Sequence, residues 1–335
     1  MRPGRGRPAG LVGLAVLLGL AVATGLAVGP AWLPVGEVWD ALLPGAQDSP
    51  ARAIVLSVRL PRVVAAALSG GSLAVSGVLF QALLRNPLAE PYLLGVSSGA
   101  ALGAVSVLVL GLTVGPAGLA LAALAGALVA IVIVFRVASA AGYLDTRILI
   151  LAGVVVASFF GAGVMLVMTF AEGRTTRSAL LWTMGSFGNA SWGMNLALAV
   201  YSLPAVLLAF GLSRHLNALA LGEESAAFLG TEVETVKRVA YLLASLLAAA
   251  AVSVGGVIGF VGLVVPHAVR LLWGGDHRFL VPMSFLAGGA LLALADAAAR
   301  TVAAPLEVPV GVVTALVGVP FFLVLLRRSY AGGAG

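Results

Sequence analysis

Ten long apolar runs leave this chain few folds to choose from. They occupy roughly residues 10–29, 62–84, 92–111, 114–135, 147–170, 193–212, 238–256, 257–273, 279–299 and 308–326. The apolar residues fill each run and are not confined to one face. Each run approaches the roughly 20 residues a helix needs to cross a bilayer. The expected fold is therefore all-α: a single polytopic membrane domain, residues 1–335, of about ten transmembrane helices. Only 10% of the 335 residues are charged, where a soluble domain carries about 25%. The net charge of +6 then speaks to membrane topology and not to nucleic acid, because the basic residues sit singly or in pairs at the ends of runs.

Topology follows from where those basic residues fall. With ten spans and both termini in the cytoplasm, six of the 19 Lys and Arg lie outside: Arg52, Arg59, Arg62, Arg174, Arg177 and Arg300. The remaining 13 lie inside, as the positive-inside rule expects. The runs around Gly255-Gly256 abut with almost no polar loop, so one long kinked helix is the alternative. That nine-span chain would put Arg327 and Arg328 outside and misplace Arg270 and Arg278. Trp32, Trp39, Trp182 and Trp192 fall near the outer interface, where amphipathic rings settle. The basic start and first apolar run could pass for a cleaved secretory signal. A retained first membrane helix suits a chain that is membrane-embedded throughout.

The sharpest local feature is the stretch RLPRVVAAALSGGSLAVSGVLFQALLRNPLAEPYLLGVSSGAALG, Arg59 to Gly103. A spanning segment begins behind Arg59 and Arg62 and ends at Arg85. Asn86-Pro87-Leu88-Ala89-Glu90-Pro91 is a proline-bounded turn that cannot stay helical. A second apolar segment follows at once, with Gly95, Gly99 and Gly103 on one stripe, so two helices should meet at a rigid corner. Small residues also recur at spacing four at Gly70 and Ala74, at Gly153, Ala157 and Gly161, and at Gly255 and Gly259. Such stripes let helices approach closely in lipid. Ala74-Val75-Ser76-Gly77 is echoed by Ala251-Val252-Ser253-Val254-Gly255, a faint sign of two inverted five-helix halves.

Several chemistries are excluded. With no cysteine there are no disulfides, thiol nucleophiles or thiolate metal sites. His215, His267 and His277 lie apart and form no metal-ligand pattern. There is no GxxxxGK[ST] phosphate loop, and Lys237 is the only lysine, so no nucleotide or other cofactor is expected on this chain. An ion-driven carrier needs ionisable groups within the membrane. Here the candidates are few: Glu90 in a turn, Glu172 at a helix end, and Asp296, which should pair with Arg300 one turn later near the outer surface. A transporter without its own ion or nucleotide site must draw energy from a partner. A stand-alone carrier or channel, and a non-transporting membrane scaffold, are the competing classes.

The longest polar segment, residues 213–238, reads SRHLNALALGEESAAFLGTEVETVKR. Leu219, Leu221, Ala226, Phe228 and Leu229 suit short amphipathic helices, with breaks at Gly222 and Gly230. It can fold back on the bundle, or dock into a cytoplasmic partner with Glu223 and Glu224 setting register. On the other side, Arg59, Arg62 and Arg300 can anchor to lipid headgroups or recognise carboxylates of a soluble partner.

These segments, with LLWTMGSFGNASW, GVIGFVGLVVPHAVRLLWGGDHRFLVP and ADAAARTVAAPLEVPVGVVTALVGVPFF, resemble the permease subunits of ABC importers for ferric siderophores, haem and cobalamin. The resemblance runs from about Arg52 to Arg328. It implies a homodimer in the bacterial inner membrane, with substrate passing along the dimer axis between the helix Arg147–Phe170, the last span and their counterparts. Two ATPase subunits, holding ATP and Mg, would bind below. A periplasmic or lipid-anchored binding protein would deliver substrate from above. Carried over by motif, Arg59, Arg62 and Arg300 would meet glutamates of the binding protein. Leu219 to Gly230, including Leu221, Gly222, Glu223, Glu224, Leu229 and Gly230, would be the coupling helices in the ATPase cleft. Asn86, Leu88 and Thr146 would close the path on the cytoplasmic side, where Arg147 could narrow it. Nothing in the residues chooses among the three substrate classes.

Overall fold

A computed structural model describes residues 6–30, 33–43 and 49–331. Trp32, Arg2 and Arg5, used in the topology argument above, lie outside the described residues, as does the side chain of Arg328. Among the described residues every regular element is helical. The first half contains α1 (Arg7–Ala27), α2 (Val35–Leu42), α3 (Pro50–Ala53), α4 (Leu60–Leu83), α5 (Val96–Val109), α6 (Gly115–Ala138) and α7 (Thr146–Met168). Then come α8 (Gly173–Thr183), α9 (Trp192–Gly211), α10 (Ser213–Leu219), α11 (Glu223–Phe228), α12 (Val233–Gly255), α13 (Val261–Trp273), α14 (His277–Ala299) and α15 (Val310–Ala331).

Seven helices are long and apolar enough to cross a membrane, and three more apolar helices, in α5, α13 and α15, are shorter. The ten expected segments are therefore all present as helices, but not all as full spans. At 1.5 Å per residue, α5 and α13 reach only about 20 Å, short of a ~30 Å hydrocarbon core. Each is shortened by a non-helical stretch before it. The proline-bounded turn ends α4 as expected, and Pro91–Leu94 then forms a 3₁₀ turn before α5 begins. The expected abutment near Gly255 is also a break. Gly256 has φ 72° and ψ −164°, a conformation only glycine adopts without strain, and α13 starts only at Val261. Gly259 is thus not helical, and the stripe inferred for Gly255 and Gly259 does not exist.

The two breaks end alike. The residue preceding α5 is Gly95 with φ 76°, and the residue preceding α13 is Phe260 with φ 69°. Each follows one of the two helices that carry the AVS echo, α4 and α12. These two pack on each other at the centre, where Ser76 Oγ donates to the Ala244 carbonyl at 2.6 Å. The two broken helices thus stand at corresponding places after the AVS segments.

Small residues hold the bundle together. A Cβ added at Gly70 would strike the Gly288 carbonyl of α14, and one at Gly77 would strike the Gly262 carbonyl of α13. Gly99 and Gly103 meet Gly126 and Ala122 of α6 in the same way. Gly153 packs on Leu93 and Leu94, whereas Gly161 faces open space. In lipid, association rests on such packing because tails are as apolar as the helix surface. Helix starts are written locally: Asp145, Ser191 and Asp276 cap α7, α9 and α14 through their side chains, satisfying N–H groups a first turn leaves unpaired.

Candidate functional site

Arg59, Arg62 and Arg300 converge, but their setting differs from the expectation of helix-end cations facing outward. The helix carrying Arg59 and Arg62 begins at Pro50, capped by Ser49, and runs to Leu83 through a π-helical stretch, Ile54–Arg59. The two arginines therefore lie about two turns or more inside it. All three are buried, at 3%, 6% and 2% exposure.

Their polar groups are engaged within the chain. Arg62 Nε donates to Asp296 Oδ1 at 3.0 Å. Its two terminal nitrogens form a bidentate pair with Glu307, both at 3.0 Å. Arg300 Nε lies 3.1 Å from Asp296 Oδ2, the expected i, i+4 pair. That pair is not near open solvent, however, because Asp296 is fully buried and also serves Arg62. Arg300 Nη2 donates to the Gly25 carbonyl at 3.0 Å, and Arg59 Nη1 to the Leu26 and Ala27 carbonyls at 2.7 and 2.9 Å. Arg59 and Arg300 thus sit at the last carbonyls of α1, where a helix C-terminus offers negative potential.

A second interlock joins the two breaks. Glu90 Oε1 accepts from the Phe260 N–H at 2.8 Å. Tyr92 donates its hydroxyl hydrogen to the Ile258 carbonyl at 2.7 Å and accepts from the Ile258 N–H at 3.0 Å. The Ser186 N–H closes on the Gly255 carbonyl at 2.9 Å. Non-helical backbone survives at membrane depth only when its groups are satisfied this way. Glu90 thus has a definite task that spacing alone did not show.

The 213–230 segment forms two short helices, α10 and α11, separated at Gly222, as its pattern suggested. Gly222 has φ 113°, so the glycine requirement there is real. The apolar residues divide. Leu216, Leu219 and Ala226 are buried on the bundle, while Leu221, Phe228 and Leu229 are 69%, 91% and 66% exposed. Glu223 is not a free acid: it pairs with the buried Lys237 at 3.3 Å. Glu224 is exposed in the first turn of α11, and Gly230, also exposed, follows with φ 79°. Phe228 was part of the amphipathic pattern but not of the candidate site. Only its exposure marks it out, and that is a tertiary fact.

Asn217 of α10 was also missed. Its Nδ2 donates to Asp276 Oδ1 at 2.8 Å. Its Oδ1 accepts from the His277 N–H at 2.9 Å and lies 2.7 Å from His277 Nδ1, which places that ring proton on Nδ1. Asp276 is held below the usual carboxylate range. Burial pushes the other way as the largest single effect, and it is outweighed by hydrogen bonds from Asn217 and the Arg278 N–H and by the charges of Arg7 and Arg278.

The three gate candidates are not in one hydrogen-bonded group. Asn86 Oδ1 accepts from the Leu88 N–H at 2.9 Å in a local Asx turn. Leu88 is 37% exposed, and Thr146 is the first residue of α7.

A bundle of about ten apolar helices, with an arginine cluster and a two-helix polar excursion, defines a polytopic helical membrane protein. The chain matches the FecCD transport family over residues 16–328 and belongs to it, as the permease subunit of an ABC importer. It is 48% identical over 279 residues to the cobalamin import system permease protein BtuC of Halobacterium salinarum, covering 83% of this chain and 74% of that one. It is 44% identical over 281 residues to the hemin transport system permease protein HmuU of Yersinia pestis, covering 82% and 84%. A solved metal-chelate type ABC transporter in an inward-facing conformation superposes with a TM-score of 0.84 at 32% identity, covering 96% of this chain and 99% of that one.

Proposed function

We propose that this permease moves a metal chelate or corrinoid (a ferric siderophore, haem or cobalamin) across the bacterial inner membrane by alternating access. ATP and Mg would be held by two separate ATPase subunits, and substrate would arrive on a periplasmic or lipid-anchored binding protein. The observation that carries the reading is the α10–α11 excursion, residues 213–238 with its flanks. It leaves Leu221, Phe228 and Leu229 exposed on a segment whose Leu216, Leu219 and Ala226 are buried. Exposed large side chains grouped on short helices mark a surface awaiting a partner. Glu224 would add register to that contact, and Gly222 and Gly230 would fix its shape.

The chain would act as a homodimer. Support comes from α7 and α15, whose Leu151, Val155, Phe159, Leu316 and Val317 are exposed and would face a second copy or lipid. Asn86, Leu88 and Thr146 are proposed to close the path at the α10–α11 end, the cytoplasmic one, with both termini on that side. Arg59, Arg62 and Arg300 are proposed to meet the binding protein through carboxylate exchange. Glu307 is the internal carboxylate such a partner would replace, since its side chain is 40% exposed while that of Asp296 is sealed.

The test is co-purification with an ABC ATPase subunit of this family, followed by ATP-driven uptake of cobalamin, haem or a ferric siderophore in proteoliposomes. Uptake that needs the ATPase supports the reading. Flux driven by an ion gradient without the ATPase overturns it in favour of a secondary carrier. Cysteine labelling at Ser178 and Ser329, in a chain with no cysteine of its own, tests the orientation: the first should label from outside and the second should not.

A further inference from the structure

One helix, α14, touches both polar clusters. Its last turn supplies Asp296 and its C-cap is Arg300, while its N-cap Asp276 and first residue His277 meet Asn217. Its 23 residues place the two ends about 33 Å apart. Alongside it, α1 is fastened near the same two ends. Arg7 Nε donates to the Trp273 carbonyl at 3.1 Å, and Arg7 Nη1 to Asp276 Oδ2 at 3.4 Å. At the other end, the Gly25, Leu26 and Ala27 carbonyls of α1 hold Arg300 and Arg59. Between these fastenings Leu18 lies close against Gly289. Sliding α1 along α14 would break charged hydrogen bonds at both ends, those of Arg7 and that of Arg300.

Within 213–230, the attachments divide between neighbours. α11 is held to α12 through Glu223 and Lys237. Among the described residues, every side-chain hydrogen bond from this segment to α14 and its cap is made by Asn217. Those bonds use both its donor and its acceptor, at the point where α14 offers unpaired N–H groups.

We propose that Asn217 is a positioning residue that registers the 213–230 segment on α14, making the α1–α14 pair a strut through which a change at the arginine cluster reaches that segment. The inference deepens the reading of 213–230 as the surface that couples to an ATPase and rests on it for its meaning, but its test needs no partner.

The test is hydrogen exchange on the full chain in lipid nanodiscs, comparing Glu307→Gln, Asn217→Ala and the double variant. Glu307→Gln acts at the arginine end and removes a partly exposed charge. It should speed exchange at amides 216–222 roughly threefold, within the range of long-range couplings. Asn217→Ala should speed the same amides about tenfold, as loss of hydrogen bonds to a charged group does, and should abolish the further response to Glu307→Gln. A merely local role predicts the Asn217→Ala increase with the Glu307 response intact, and that result overturns the proposal. No response to Glu307→Gln while Asn217 is present overturns it as well. If Asn217→Ala loosens the whole bundle, seen as lost protection in α4, Asn217→Asp serves instead. It keeps the acceptor for His277 and loses the donor to Asp276, and it must blunt the response. Loss of ATPase docking in a separate assay would leave this result standing, and the converse holds too.

Discussion

The arginine cluster and the α10–α11 excursion sit at opposite ends of α14 and treat their surroundings in opposite ways. At the first, three guanidiniums are drawn inward around the buried Asp296, which is shared between Arg62 and Arg300. At the second, three large apolar side chains are left exposed. The difference teaches that residue type alone does not say how a candidate surface is held: burial and internal pairing separate the two. The cluster that looks like a receptor for acids is largely satisfied by its own chain. The segment that looks like a loop is the one left incomplete.

The comparison is broken most severely by Asp296→Ala. It leaves two buried arginines sharing no carboxylate and should destabilise the chain by about 3–5 kcal/mol, read as a large fall in the thermal midpoint in nanodiscs. A change below about 1 kcal/mol would mean the cluster is wetter and more open than its burial implies. At the other end, Phe228→Ala should leave the thermal midpoint unchanged. It should instead weaken association with the ATPase subunit by about 2 kcal/mol, the loss expected of an interface anchor, read as a roughly 30-fold change in affinity. Equal losses of stability and association would assign Phe228 to the bundle.

Gly222→Ala lies between the two ends in character. A side chain at φ 113° should cost about 1–2 kcal/mol locally, seen as faster exchange in α11 with the core helices unaffected. Unchanged exchange would show that the segment re-forms with an ordinary backbone. The smallest effect is acidic. Because the carboxyl of Asp276 is depressed below its ordinary value of about 3.9, it stabilises the α10 attachment above that value. The contribution is lost as pH falls through the lower folded value. Exchange at 216–222 should therefore accelerate below about pH 4, and less so in Asn217→Ala, which has already lost one of the hydrogen bonds that depress the group. An equal acceleration in both would assign the acid response to other groups.

Much of this was legible in residues near one another in sequence. Asn86, Pro87 and Pro91 end α4 because two prolines and an Asx turn deny the helix its bonds. Gly222 and Gly230 separate α10 and α11 as their spacing implied. The fate of Glu90 was not legible, because its partner N–H belongs to Phe260, 170 residues away. Arg62 shows the same limit: its motif pointed to a carboxylate, and the two it meets lie 234 and 245 residues downstream. Asn217 carried no signal at all, since an asparagine in a polar segment ordinarily faces water.

By itself the sequence determined the helical bundle, the proline-bounded break after α4, the glycine breaks around α11 and its family. Those depend on local physics: runs of apolar side chains that lipid accepts, prolines and glycines that end them, and caps that start them. Only the tertiary structure decided that the two breaks lock together through Glu90 and Tyr92, that Arg59 and Arg300 turn inward onto α1, and that Phe228 is left outside. The reason is physical. Whether a polar group is satisfied, or an apolar one buried, depends on the helix that arrives beside it, and α4 and α14 are brought together across more than 200 residues of chain.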